Sequence, residues 1–201
     1  LGDLLLIGSQ ERPNLFARAI LKTPPPHAAV IEIAERVNAE GTVIEPLDEA
    51  RARADLSAAY ARGLRAVAIV LMHGDRFPTH EQALARIAAE IGFPQISVSH
   101  EVAPLIKIVP RGDTTLVDAY LSPVLRHYVG RFTEGLAGAG DALFMQSSGG
   151  LVDAAHFHGR SAILSGPAGG IVGMARSAAD AGHDRVIGFD MGGTSTDVSH
   201  F

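Results

Sequence analysis

The chain has 201 residues, 47% of them hydrophobic and 19% charged, with a formal net charge of −5 and a mean hydropathy of +0.18. That length makes one large domain or two small ones, able to bury about 70% of the unfolded surface, and the composition reads as soluble and globular. Lys and Arg (17) are outnumbered by Asp and Glu (22) with no basic run, which argues against nucleic acid, and no apolar run approaches the ~20 residues of a membrane span.

The absence of cysteine excludes disulfides and thiolate metal sites and fits a reducing, cytoplasmic setting. Leu1-Gly2-Asp3 shows no starting Met, no basic n-region and no signal-peptide shape, so the chain reads as a fragment. Leu4-Leu5-Leu6-Ile7 before Gly8 is expected to be the tail of a helix. Pro13 and Pro24-Pro25-Pro26 bracket a connector of extended backbone. Ala29 to Val37 predicts a strand, Gly41 a turn and Thr42-Val43-Ile44 a short return strand. Asp48 is an N-cap for a helix to about Arg62, with Leu56, Ala59 and Tyr60 inward and Gly63 as its stop. Ala66 to Leu71 is a continuous apolar run of strand length.

Thr79-His80-Glu81-Gln82 has capping-box spacing, and Leu84, Ile87, Ala88 and Ile91 make the buried stripe before Gly92. Gln95 to Ser99 is the next strand, and the α-β-α-β order from Asp48 to Ser99 predicts a parallel sheet with crossover helices. From Asp113 a long helical pattern runs on, with Ser122-Pro123 as a kink or a new N-cap followed by an N1 proline. Leu121, Leu125, Tyr128, Phe132 and Leu136 follow one face, and Gly138 to Gly140 close the pattern. Leu143-Phe144-Met145 predicts a strand, Gln146 to Gly150 a polar turn, and Ser161 to Leu164 another strand. A small-residue helix from Gly166 to about Ala181 then precedes the strand that carries Asp190.

Two glycine segments carry chemistry. Asp190-Met191-Gly192-Gly193-Thr194-Ser195-Thr196-Asp197 sets a carboxylate, a bare turn, three hydroxyls and a second carboxylate in sequence. Glycine lets a backbone approach an anion and adopts positive φ at little cost, while a carboxylate at a strand end suits a hydrated magnesium ion. The plain alternative is an ordinary hairpin. Ser165-Gly166-Pro167-Ala168-Gly169-Gly170 is either close helix packing or a helix N-terminus facing an anion. Neither segment is a Walker A loop, because Gly-Lys-Ser/Thr is absent, nor is the second a dinucleotide fingerprint. His73 with Asp75, His100 with Glu101, and His156 with His158 raise a metal hypothesis, against which lone histidines are more often hydrogen-bonded surface residues.

With these residues laid out, the chain resembles the hydantoinase/oxoprolinase family from end to end. The carrying segments are Arg12-Pro13, Glu35-Arg36-Val37, Glu45-Pro46-Leu47-Asp48 and Ser97-Val98-Ser99-His100-Glu101-Val102. More specific are Arg111-Gly112-Asp113-Thr114-Thr115, Asp118-Ala119-Tyr120-Leu121-Ser122-Pro123 and Phe144-Met145-Gln146-Ser147-Ser148-Gly149-Gly150. Leu164 to Gly170 and the Asp190 motif are the strongest. N-methylhydantoinases, acetone carboxylase subunits and caprolactamases look similar, while Gly170 to Met174 and Asp197-Val198-Ser199-His200 lean towards ATP-dependent 5-oxoprolinases.

The resemblance implies an α/β fold, part of an actin/Hsp70-like (ribonuclease H-like) ATPase lobe with an inserted small α/β domain. Residues 1–28 would be a connector from a truncated N-terminal lobe and 29–109 the inserted domain. Residues 110–182 would carry first-lobe helices and strands with the connecting helix, and 183–201 the start of a second lobe with its phosphate loop. The implied reaction is ATP-dependent hydrolysis of a cyclic amide, 5-oxoproline or a hydantoin, in which the ring amide is activated by phosphoryl transfer. Asp190 is the expected catalytic residue and, through water, the magnesium ligand. Gly192, Gly193, Thr194, Ser195, Thr196, Asp197, Ser165 and Gly166 are the expected nucleotide contacts. The implied cofactors are ATP and Mg, and the implied partner is a hydantoinase B-like domain or subunit in an oligomer. An ATP-binding subunit of an acetone-carboxylase-like enzyme and a non-catalytic nucleotide-binding or interaction module are the alternatives. By itself the fragment is expected to be inactive.

Overall fold

A computed structural model describes residues 2–8, 14, 16–136, 140 and 142–201. Arg12-Pro13 and Gly138 lie outside the described residues. The chain divides into two compact units, Leu1–Pro123 and Val124–Phe201.

In the first unit, α1 (Leu4–Ile7) is a single turn where the tail of a helix is expected. β1 (Arg36–Val37) pairs antiparallel with β2 (Val43–Glu45) through an irregular register. Asp48 caps α2 (Glu49–Ala61), its carboxylate accepting the Arg51 N–H at 2.9 Å, and Gly63 follows at φ +94°. β3 (Ala66–Ile69) and β4 (Gln95–Val98) run parallel, Ala66 opposite Gln95 and Ile69 opposite Val98. α3 (Thr79–Ile91) is their crossover, the βαβ unit that the sequence predicts. Its stripe and that of α2 meet the sheet in two clusters. Leu56, Ala59, Ile87, Ala88 and Phe93 form one; Ala52, Ile69, Leu84 and Val98 form the other.

Three expectations in this unit need correction. Only Arg36 and Val37 of the Ala29–Val37 stretch join a ladder. Ile31 and Ile33 pack against the two clusters, so apolar alternation is satisfied without strand partners. The capping box does not form: Thr79 is itself the first helical residue, so Pro78 is the N-cap and no side chain caps α3. Ser99 leaves the strand and opens a one-turn helix, α4 (Ser99–Val102).

A single helix, α5 (Ile108–Gly135), runs through Pro123 and begins five residues earlier than expected. Its carboxyl-terminal part belongs to the second unit, where Val129 is buried. Tyr128 and Phe132, on the face the sequence marks, are exposed and stack on each other. β5 (Leu143–Met145) pairs antiparallel with β6 (Leu151–Asp153). Phe144 stacks on Phe157 and meets the Phe132 ring edge-on. The strand expected at Ser161–Leu164 is instead α6 (Gly159–Ala162) and a turn. Ile163 and Leu164 are exposed, and the Leu164 N–H goes to a serine hydroxyl and not to a ladder. α7 (Ser165–Asp180) and the strand β7 (Ile187–Met191) are as expected, and β8 (Thr196–His200) pairs with β7 to make the hairpin that was the plain alternative at this motif.

Candidate functional site

The β7–β8 hairpin pairs Asp190 with Asp197 and Met191 with Thr196. The Gly192 N–H donates to Ser195 O at 3.0 Å, so Gly193 and Thr194 form the tip. Neither Gly192 nor Gly193 has a positive φ. A Cβ at Gly193 would meet nothing within 4 Å, so the tip is open. Residues opposite each other in an antiparallel ladder share a face. Gly188, Asp190, Asp197 and Ser199 therefore lie on one face, and Ile187, Phe189, Met191, Thr196 and Val198 on the other. The two carboxylates are brought together, and the Thr196 hydroxyl is turned away from them. Like charges directly opposite in a ladder repel, which is the arrangement a shared cation relieves.

The carboxylate face lies on α7. The Ser199 hydroxyl is 3.9 Å from Met174 Sδ, and a Cβ on Gly170 would be 4.0 Å from Asp190 Oδ2. From Met174 to Gly170 the helix advances about 6 Å, and from Gly188 to Asp190 the strand advances about 6.8 Å. Helix and strand thus keep step, and by the same step Gly192 falls level with Gly166. The hairpin tip and the amino terminus of α7 face the same end. There Leu164 is the N-cap without a side-chain cap, and the first intrahelical bond in this turn is Ala168 N–H to Leu164 O. That leaves the Ser165 and Gly166 N–H groups without intrahelical acceptors, at the positive end of the helix dipole.

A third segment reaches this end. The Gln146–Gly150 turn is closed by Gln146 N–H to Gly150 O at 2.8 Å, with Gly149 at φ +83°. Ser147 fastens it: its hydroxyl donates to Ser161 O at 2.8 Å and accepts the Leu164 N–H at 2.9 Å. Ser147 was not among the expected site residues, although it lies within one of the segments that carry the family resemblance.

Within the first unit, a buried polar network occupies the carboxyl ends of β3 and β4. Glu81, fully buried, accepts the Leu71 N–H at 2.8 Å, the Ser99 hydroxyl at 2.6 Å and the His100 N–H at 3.1 Å. His100 Nδ1 lies 2.8 Å from the same carboxylate. Arg111, also fully buried, donates to Ser99 Oγ at 3.1 Å, Asp75 Oδ1 at 3.0 Å, and Leu105 O and Leu71 O at 2.6 Å. His80 Nδ1 pairs with Glu35 Oε2 at 2.7 Å. The structure thus ties Asp75 and His100, weighed as metal ligands, to Arg111 and Glu81. His156 is held by Asp153 at 2.8 Å. Among the described residues no three His, Asp or Glu side chains gather as a metal-holding group. No described helix is long and apolar enough to cross a membrane.

Fold and site together define an α/β protein with a carboxylate-bearing hairpin set against the amino terminus of a glycine-rich helix. The hydantoinase/oxoprolinase N-terminal region matches residues 1–92, and the hydantoinase/oxoprolinase model matches residues 111–201. The chain belongs to the hydantoinase/oxoprolinase family. It is 42% identical over 229 residues to a 5-oxoprolinase of Saccharomyces cerevisiae, covering 99% of this chain and 18% of that protein. It is 39% identical over 223 residues to 5-oxoprolinase 1 of Arabidopsis thaliana, again covering 99% and 18%. The chain therefore spans about a fifth of the length of these relatives. The crystal structure of the ATP-dependent caprolactamase from Pseudomonas jessenii superposes with a TM-score of 0.78 at 33% identity, over 98% of this chain and 30% of that one. A nucleotide-free acetone carboxylase gives 0.74 at 26% identity, over 84% and 25%.

Proposed function

We propose that this chain is part of an ATP-dependent cyclic-amide hydrolase of the 5-oxoprolinase/hydantoinase type, and that the β7–β8 hairpin is its phosphate-facing loop. The observation that carries this reading is the Asp190–Asp197 pair set against Gly170 of α7, with the hairpin tip beyond it level with the amino terminus of that helix. Repelling carboxylates beside unpaired N–H donors suit a magnesium ion and the phosphates it accompanies. Support comes from the relatives named 5-oxoprolinase and from a structural neighbour described as an ATP-dependent caprolactamase.

An unstrained amide carbonyl is a poor electrophile. ATP, when bound, supplies the phosphoryl group that turns the amide oxygen into a leaving group. The residues here position and neutralise charge, which dominates phosphoryl transfer. Gly193 and Thr194 offer N–H donors to the outer phosphate oxygens, with the Ser195 hydroxyl beside them and the Ser165 and Gly166 N–H groups opposite; the Gly192 N–H, expected among these donors, closes the turn on Ser195 O. Asp190 orients the hydrated magnesium, and Asp197 shares that charge or holds the turn. Thr196 presents its hydroxyl to the far face and stands apart from this set. On this reading the second unit contributes to an actin-like ATPase lobe, with α7 as the helix between lobes, and 201 residues hold half of the site. The complete cytoplasmic enzyme carries a hydantoinase B-like domain or subunit, a view supported by the name of a relative, caprolactamase subunit alpha.

In the full-length protein, Asp190→Ala is expected to lower substrate-dependent ATP hydrolysis by at least a hundredfold. Turnover within a few-fold of the unaltered protein overturns the assignment. The likeness to acetone carboxylase favours a second reading, a carboxylase subunit. Stimulation of ATP hydrolysis by 5-oxoproline, by hydantoin or by acetone separates the two.

A further inference from the structure

Beside β3 lies a largely apolar cavity of about 640 Å³. One wall is β3 with Val70 just beyond it, and another is the run from Pro26 to Ile33. The register shows which edge of β3 is free. Arg65 O accepts the Gln95 N–H, so the odd-numbered residues Val67 and Ile69 turn their backbone groups towards β4. Ala66, Ala68 and Val70 turn theirs towards the cavity. Among the described residues no strand pairs with this edge, since β3 pairs with β4 alone.

The run from Pro26 keeps the direction of β3. Ile31 packs with the cluster that takes in Leu64, just before β3, and Ile33 with the cluster of Ile69 and Leu71 at its far end. It thus behaves as a strand of the same sheet, displaced from its neighbour by an intervening space. Val30, on the same run, is half exposed. An apolar sheet edge with unpaired N–H and C=O groups is costly and open to aberrant pairing.

We infer that a further apolar β-strand, supplied by the same polypeptide from outside these 201 residues, occupies this cavity and completes a sheet running from β4 through β3 to the Ala29–Glu35 segment. Strands in a sheet are spaced about 4.8 Å apart, so one inserted strand answers the bare edge of β3 and bridges the space to the Ala29–Glu35 segment. The size of the relatives supports this source: they match 99% of this chain with only 18% of their own length. This inference is independent of the reaction proposed above, since it concerns the first unit alone.

Residue-resolved hydrogen exchange on the full-length protein tests it. With the strand in place, the Ala66, Ala68 and Val70 amides exchange within about tenfold of the Val67 and Ile69 amides, which β4 holds. Exchange of the first three a hundredfold faster than the other two overturns it. So does protection that falls on dilution, which would make a second copy the occupant. Titration with the apolar dye 1-anilinonaphthalene-8-sulfonate is a second measurement. No dye bound beside β3 supports the inserted strand; dye bound there, quenched by a probe placed at Ala66, marks an open apolar ligand cavity and overturns it.

Discussion

Gly74 is the position in the first unit where one added methyl group meets the least forgiving neighbour. A Cβ there would lie 2.6 Å from Glu81 Cδ, and that carboxylate is held by Leu71, Ser99 and His100. Gly74→Ala is expected to cost about 2–4 kcal/mol, from overpacking and loss of buried hydrogen bonds. Gly63→Ala, with open space around it but φ +94°, costs only the left-handed strain of ~1–2 kcal/mol. Urea midpoints of the two variants check the order; a reversed order discards the network as a rigid body. Glu81 was legible in principle, because a carboxylate at the head of the stripe Leu84, Ile87 and Ala88 is a charge on a buried face. The capping-box pattern masked it. At Asp153, a hydrogen bond from His156, followed by backbone N–H groups, holds the carboxyl below its ordinary value of 3.8. A depressed carboxylate adds stability above its unfolded pKa and loses it as pH falls through the folded one. The Ala154–His156 turn is therefore expected to loosen only below about pH 4. His156→Ala moves the Asp153 titration midpoint, followed by carboxyl-carbon NMR, back towards 3.8; an unmoved midpoint discounts the pairing.

Elements were legible where their signals are local. Asp48 and Gly63 bound α2 at positions readable from residue type, and the α-β-α-β order gave the parallel pair. Signals failed where a side chain from elsewhere settled the outcome. Ser161–Leu164 has strand-like composition, yet Ser147 takes its backbone groups and the chain coils into α6. The candidate site divides the same way: the sequence marks Asp190, Asp197 and the glycine turn, while only the register shows that Thr196 faces away. Ser147 links the Gln146–Gly150 turn to the start of α7 through two hydrogen bonds. Ser147→Ala is expected to cost about 1–2 kcal/mol, at ~1 kcal/mol for each bond removed. The same variant should raise exchange at the Leu164 amide at least tenfold, relative to amides deeper in α7. Unchanged exchange at Leu164 would show that the turn and helix are held together by other contacts.

At the scale of the whole molecule, burial is unevenly shared. Every buried apolar side chain among the described residues lies in Leu1–Pro123 except Val129 and Phe157. α7 has no buried residue, and Ile187, Phe189, Met191 and Val198 stand 65–76% exposed on one face of the hairpin. Apolar burial contributes about 25 cal/mol per Å², so the second unit of the isolated chain has little to offset the entropy of ordering it. Native-state hydrogen exchange on the 201-residue chain should therefore show two levels. Amides of α3 and β4, and the Val67 and Ile69 amides that β4 holds, exchange through rare, cooperative opening, while those of Ile187–His200 exchange near the unfolded rate. In a longer polypeptide the exposed hairpin face is a natural seat for further chain, and the same amides should gain at least a hundredfold in protection. Equal protection of both units in the isolated chain would mean that the hairpin stands without its cover. That result would also weaken the half-site reading, because a hairpin rigid by itself could hold Asp190 and Asp197 in place with no opposing lobe.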